Sequence, residues 1–232
     1  MEQTISSGSP LLDNLLGGGY EKDIITTIYG PAGSGKTLLC LLVAISVAKT
    51  KRVIYFDTEG GFSVLRMSQL FKDYKKIIGN ILFLKPTNFE EQKKSFEKLK
   101  NIINSDVGLI IIDSISMLYR LELKQEENIH DINRELAQQV ALLTEIARKK
   151  QIPVIITNQV YSNFEDKNKV NIVGGDVLKY GSKCLIELQI TPDNKRRAIL
   201  KKHRSLGERE IVFQIKEEGI VETKEGKGFK IF

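Results

Sequence analysis

The eight residues from Gly30 to Thr37, Gly-Pro-Ala-Gly-Ser-Gly-Lys-Thr, constrain this chain more than any other stretch. They fit the pattern G-x-x-x-x-G-K-[ST] through Gly30, Gly35, Lys36 and Thr37. The flanks are those such a loop requires. Ile24 to Tyr29 is an apolar run that reads as a strand, and Leu38 to Ala48 is apolar and free of breakers, so it reads as a helix. Glycines let successive backbone N–H groups turn inward, and a helix N-terminus adds partial positive charge. Gly30, Pro31, Ala32, Gly33, Ser34, Gly35, Lys36, Thr37 and Leu38 are therefore the expected nucleoside triphosphate site. Lys36 is expected to reach the β- and γ-phosphates, and the Thr37 hydroxyl to ligate Mg²⁺.

The rest of the pattern agrees with an α/β fold. Strand-like runs at Arg52–Asp57, Ile81–Leu84, Leu109–Asp113 and Pro153–Thr157 alternate with helix-like stretches near Val64–Lys76, Phe89–Asn104 and Ile129–Lys149. Such alternation predicts a mostly parallel central sheet with crossover helices. Beyond Lys183 the alternation stops. Cys184–Thr191, Arg197–Lys202 and Ile211–Lys216 read as antiparallel strands, with turns at Pro192-Asp193-Asn194 and Leu206-Gly207-Glu208. No linker divides the chain, so one domain over 1–232 is expected.

Composition narrows the class. A 41% hydrophobic fraction supplies a core, and no apolar run approaches the length of a membrane span. Cys40 and Cys184 lie in apolar segments without metal-ligand spacing, which suits free thiols in the cytoplasm. Thirty-five basic against 29 acidic residues give a net charge of +6. Lys195, Arg196, Arg197, Lys201, Lys202 and Arg204 carry that excess in one stripe with no acidic residue among them. Such a stripe suits a polyanion, or an edge strand whose cations discourage further pairing.

Three strand ends carry candidate chemistry. Asp113 closes an apolar strand and is the expected second Mg²⁺ ligand beside Thr37. Glu59, just after the Arg52–Asp57 strand, could act as general base on water or be a loop carboxylate. Gln159 ends a further strand, where its amide could sense a γ-phosphate. The segment from Val160 to about Gly174 reads as a long loop whose Tyr161, Phe164, Lys167 and Lys169 suit stacking on unpaired bases beside phosphates. A second exposed stretch, Met117 to Glu127, contributes Arg120 and Lys124.

In combination these segments resemble the RecA/RadA recombinase core, most closely its short archaeal paralogues. The resemblance rests on Leu15-Leu16-Gly17-Gly18-Gly19 ahead of Gly30 to Thr37, and on Asp57-Thr58-Glu59-Gly60 with Phe62 and Arg66. It continues through Ile112-Asp113-Ser114 with Tyr119-Arg120, through Thr157-Asn158-Gln159-Val160 with Gly174-Gly175, and through Lys202-His203-Arg204-Ser205. It implies ATP with Mg²⁺, Lys36, Glu59 and Gln159 as catalytic residues, and Arg66 against the adenine. It also implies that the two exposed loops contact single-stranded or branched DNA. The basic stripe, with Arg196, Arg197, Lys201 and Lys202, is a third candidate DNA surface.

The family further implies an accessory role in homologous recombination and repair, beside the main recombinase RadA and a Holliday-junction resolvase. The recombinases' N-terminal helical domain and linker are not expected here, so a monomer or dimer is expected rather than a filament. Ser63 replaces a common second arginine, and Gly207 a common proline, which implies slow hydrolysis. A KaiC-like regulatory ATPase shares the Leu-Gly-Gly-Gly run and the phosphate loop, but not Asp-Thr-Glu-Gly or Thr-Asn-Gln-Val. A DNA- or partner-binding module that uses nucleotide only as a conformational ligand is the other alternative.

Overall fold

The structure is a computed structural model and describes residues 3–124, 129–162 and 170–223. A short N-terminal unit comes first: β1 (Thr4–Ile5), α1 (Pro10–Leu15) and β2 (Tyr20–Glu21), with β1 and β2 paired antiparallel. The central units follow as β3 (Ile25–Gly30), α2 (Lys36–Ala48), β4 (Arg52–Asp57), α3 (Val64–Leu70), β5 (Ile81–Leu84) and α4 (Phe89–Ile102). Next come β6 (Val107–Asp113), α5 (Ser116–Glu122), α6 (Ile129–Lys150), β7 (Val154–Ser162), β8 (Val170–Ile172) and α7 (Gly175–Gly181). The chain closes with β9 (Cys184–Ile190), β10 (Arg196–Lys202), β11 (Arg209–Lys216) and β12 (Gly219–Glu222).

Ten of these strands form one sheet, ordered β12-β11-β10-β9-β3-β7-β6-β4-β5, with β8 hanging on β7. The run from β9 to β5 is parallel and the C-terminal hairpins are antiparallel. This is the expected α/β, RecA-like architecture. The interiors of β4 and β6 are almost wholly apolar because both faces are covered, whereas β3 and β7 also bury Thr26, Thr27, Thr157 and Asn158. Val53, Tyr55, Leu109, Ile111 and Ile155 face the layer of α1, α2 and α3. Ile54, Phe56, Ile110, Ile112, Val154 and Ile156 face α4, α5, α6 and α7. Each such side chain taken fully from water contributes about 1.5–3 kcal/mol.

Helix α2 is buried nearly all round, as an apolar helix between a sheet and further structure must be. Helix α6 is amphipathic and buries Leu136, Val140, Leu143 and Ile146, the face read from its spacing.

Five expectations are corrected. The exposed stretch expected from Met117 begins as helix α5, which packs Leu118 and Tyr119 into the core. The helix expected to Lys76 ends at Leu70, because Phe71 turns extended (φ −150°) and a 3₁₀ turn at Tyr74–Lys76 follows. The long loop expected from Val160 is in part a hairpin stem, since Val160–Ser162 pairs with Val170–Ile172. Strand β12 was not expected at all. Last, β10 is no edge: it hydrogen-bonds to β9 on one side and β11 on the other, which removes the edge-strand reading of the basic stripe.

Candidate nucleotide site and its surroundings

Parallel register gathers the candidate residues at one end of the sheet. Gly30 pairs with Gln159, and Asp57 with Asp113, so the ends of β3, β7, β4 and β6 lie side by side. Crevices at such carboxyl ends are where open α/β sheets take their ligands. A groove of about 600 Å³ opens instead at the strands' opposite ends, lined by Lys22, Lys51, Lys150 and Val107 among others. Lys150 lies at the carbonyl end of α6 and the Lys51 ammonium donates to the Ser105 carbonyl (3.0 Å), so both charges have partners within the chain.

The phosphate loop has the backbone its sequence demands. Gly33 (φ +72°) and Gly35 (φ +102°) take left-handed conformations, and Gly35 caps α2. At Gly30 a Cβ would stand 2.4 Å from the Leu188 carbonyl oxygen, so only glycine fits against β9. The Lys36 ammonium donates to the Gly30 and Pro31 carbonyls, both at 2.9 Å. Burial lowers the Lys36 pKa, with Glu59 and Asp113 acting in the opposite sense. Ser34 Oγ is buried without a hydrogen-bond partner. The hydroxyl lies on the Gly30 side of the loop, where a Gly30 Cβ would come within 3.0 Å of it.

Asp113 is buried and accepts from Tyr55 Oη at 2.8 Å and from Thr157 Oγ1. Burial raises its pKa, opposed by hydrogen bonds from Thr157, Thr37 and Tyr55. Thr37 therefore stands beside Asp113, and a Cβ on Gly61 would lie 3.4 Å from the Thr37 hydroxyl. Among the described residues no group of three or more His, Cys, Asp or Glu could hold a metal. Thr37 and Asp113 fit instead the pair that holds Mg²⁺ together with phosphate oxygens.

The β4–α3 loop is fixed from two sides. Asp57 Oδ1 accepts from the Gly61 amide at 2.9 Å. Thr58 Oγ1 donates to the Ser114 carbonyl (2.6 Å) and accepts from the Ser114 amide (2.9 Å). Glu59 leaves this loop toward β7. Its Oε1 accepts from the Ser114 hydroxyl and from Gln159 Nε2 at 2.9 Å. Gln159 Oε1 in turn accepts from Arg120 Nη1 at 2.7 Å. A carboxylate held by neutral donors at this sheet end has the placement that orienting a water molecule would need. Tyr55, Ser114 and Thr157 were not assigned roles from the sequence. Ser114 and Thr157 do stand inside the motifs quoted above, whereas nothing in the sequence marks Tyr55.

The remaining candidates divide. The Arg66 guanidinium donates to the carbonyls of Lys216 (2.6 Å) and Glu217 (3.0 Å) and to Gln69 (3.0 Å), which joins α3 to the β11–β12 turn. Lys124 is exposed just after α5. Tyr161 is on β7, but its side chain, like Phe164, Lys167 and Lys169, lies outside the described residues.

The basic stripe does not form one face. Alternation along β10 sends Arg196 and Arg197 to opposite sides of the sheet, and a bulge follows between Leu200 and Lys202. Most of the cations have a close protein partner. Lys195 pairs with Asp193 (2.7 Å) and Lys201 with Glu208 (2.7 Å), whereas Arg197 Nε comes only to 4.0 Å from Glu210 and makes no hydrogen bond. Lys202 donates to the Lys179 and Ser182 carbonyls (2.9 and 2.8 Å), and Arg204 binds Glu21 and Asp23. Arg196 Nε reaches the phosphate loop itself, at the Gly33 carbonyl (3.1 Å).

The chain is similar to known proteins over most of its length. The Rad51 family model matches residues 2–223. The chain is 43% identical to the DNA repair and recombination protein RadB of Methanobrevibacter smithii, over 90% of this chain and 92% of that protein. It is 44% identical to RadB of Methanococcoides burtonii (88% and 90%) and 41% identical to RadB of Methanocaldococcus jannaschii (90% and 98%). Among solved structures, the crystal structure of the RadB recombinase superposes with a TM-score of 0.82 at 35% identity, covering 95% of this chain and all of that one.

Proposed function

Because this chain belongs to the Rad51 family, we propose that it is an ATP-binding, slowly hydrolysing DNA-binding protein that assists homologous recombination and repair. The observation that carries the reading is the register that sets Gly30 beside Gln159 and Asp57 beside Asp113, with Glu59 held between the two pairs of strands. The loop amides and Lys36 would take the phosphates, with Ser34 Oγ as a further polar contact. Thr37 and Asp113 would hold Mg²⁺, which supplies charge neutralisation at the phosphate oxygens. Glu59 would accept the proton of the attacking water, and Gln159 would sense the γ-phosphate. Arg66 is the family's adenine contact; its guanidinium also fixes the β11–β12 turn.

DNA is assigned to the segments that leave the same sheet end. Arg120 and Lys124 lie at one, and the β7–β8 hairpin continues directly from Gln159. The stripe on β10 is a weaker DNA candidate, since most of its cations are partnered within the chain. No helix among the described residues is long and apolar enough to cross a membrane, consistent with work in the cytoplasm. Its protein partners on this reading are the main recombinase RadA and a Holliday-junction resolvase, with this chain as monomer or dimer.

The test is ATP turnover with and without single-stranded and four-way-junction DNA, beside a Lys36→Ala control. The reading expects slow turnover above the control and DNA affinity that falls steeply with salt. Turnover no higher than the control at saturating DNA would leave nucleotide as a conformational ligand only.

A further inference from the structure

The contact between Arg120 and Gln159 does more than join helix α5 to strand β7. A glutamine amide carries an acceptor oxygen and a donor nitrogen, and either end can face a given neighbour. A guanidinium only donates, so Arg120 Nη1 at 2.7 Å fixes Gln159 Oε1 on its own side. Nε2 is thereby turned to Glu59, 2.9 Å away. With the amide reversed, the Gln159 oxygen would face a carboxylate oxygen, acceptor against acceptor. Ser114 and Gln159 both donate to Oε1 of Glu59, while Oε2 has no hydrogen-bond partner among the described residues. One carboxylate oxygen is anchored and the other keeps its lone pairs.

We propose that Arg120 is a positioning residue for hydrolysis: through Gln159 it anchors Glu59 Oε1 and leaves Oε2 as the oxygen that accepts the proton from water. This deepens the reading of Glu59 as general base and rests on it. The role belongs to the chain without DNA, and so differs from a phosphate contact. A DNA phosphate competing for Arg120 would release the amide.

The experiment compares wild type with Arg120→Ala and Arg120→Lys, all without DNA. The first readout is the Gln159 side-chain amide in nitrogen-15 NMR of the nucleotide-free protein, identified by its loss in Gln159→Glu. Arg120→Ala should shift this signal toward that of exposed glutamines, and Arg120→Lys should keep part of the wild-type shift. The second readout is single-turnover ATP hydrolysis beside nucleotide affinity. Arg120→Ala should slow hydrolysis about tenfold or more, a fraction of what a general base supplies, with ATP affinity within about twofold.

An unchanged amide signal in Arg120→Ala overturns the proposal, and so does a shifted signal with an unchanged rate. A Glu59→Gln variant separates the two levels. If it hydrolyses ATP at the wild-type rate, the general-base reading itself fails, whatever Arg120 does. A wild-type rate equal to that of Lys36→Ala removes both.

Discussion

Asp113 shows how a single residue here is held against its own preference. It is buried among Tyr55 and Thr157, and burial outweighs the hydrogen bonds it accepts, so its pKa is raised. The folded protein then binds the proton more tightly than the unfolded chain. The stability Asp113 contributes is full below its ordinary value of 3.8 and is lost as pH rises through the raised folded value. Above the raised folded value the ionised carboxylate is therefore a cost, one that the proposed Mg²⁺ role accounts for. Asp113→Asn should raise stability without Mg²⁺ or nucleotide by on the order of 1 kcal/mol, roughly 2–4 °C in Tm. Thermal melts at pH 5 and pH 7.5 should show the larger gain at the higher pH. A variant that melts below wild type at pH 7.5 would place the hydrogen bonds, not desolvation, in control. Mg²⁺-dependent nucleotide binding should weaken in the same variant.

Strands and helices carry a different lesson, seen best on β10. Its cations were legible as a stripe, but their neighbours were not, because pairing on both sides of a strand is decided by topology. Lys202 illustrates the outcome: its ammonium closes the C-terminal end of α7 through the Lys179 and Ser182 carbonyls. Cations in that position satisfy orphan carbonyls and the helix dipole together. Lys202→Ala should cost about 0.5–1.5 kcal/mol and speed amide hydrogen exchange at Leu178–Ser182. DNA affinity should stay within about twofold, and a larger loss would restore Lys202 to the DNA surface.

What was legible follows the same logic. Strands β4 and β6, buried on both faces, announce themselves as continuous apolar runs. The phosphate loop does so because its backbone admits few residues. The β7–β8 pairing was hidden, since its halves are separated by a run from Asn163 to Lys169 that is polar but for Phe164. The hydroxyl contacts of Tyr55, Ser114 and Thr157 were hidden because they join residues far apart in sequence.

At the scale of the whole molecule, the C-terminal strands roof the phosphate loop. A Cβ on Gly35 would lie 3.1 Å from Ile215 Cδ1, Arg196 of β10 donates to Gly33, and Arg66 of α3 grips the β11–β12 turn. The loop proposed to bind phosphate and the hairpins that end the described chain are thus in direct contact. Ligand at 100 times its Kd stabilises a folded protein by about 2.7 kcal/mol, roughly 5–10 °C for a domain of this size. Saturating Mg²⁺–nucleotide should produce a shift of that order here. It should also slow hydrogen exchange both at Gly30–Thr37 and across Arg209–Glu222, although no residue of β11 or β12 was assigned to the nucleotide. Arg66→Ala removes the tie between α3 and the turn. In that variant nucleotide should still protect the phosphate loop, while protection of β11 and β12 falls before and after binding. If Arg66→Ala leaves exchange in β11 and β12 at the wild-type rate in both states, the hairpins are held by the sheet alone, and the roof moves independently of the site beneath it.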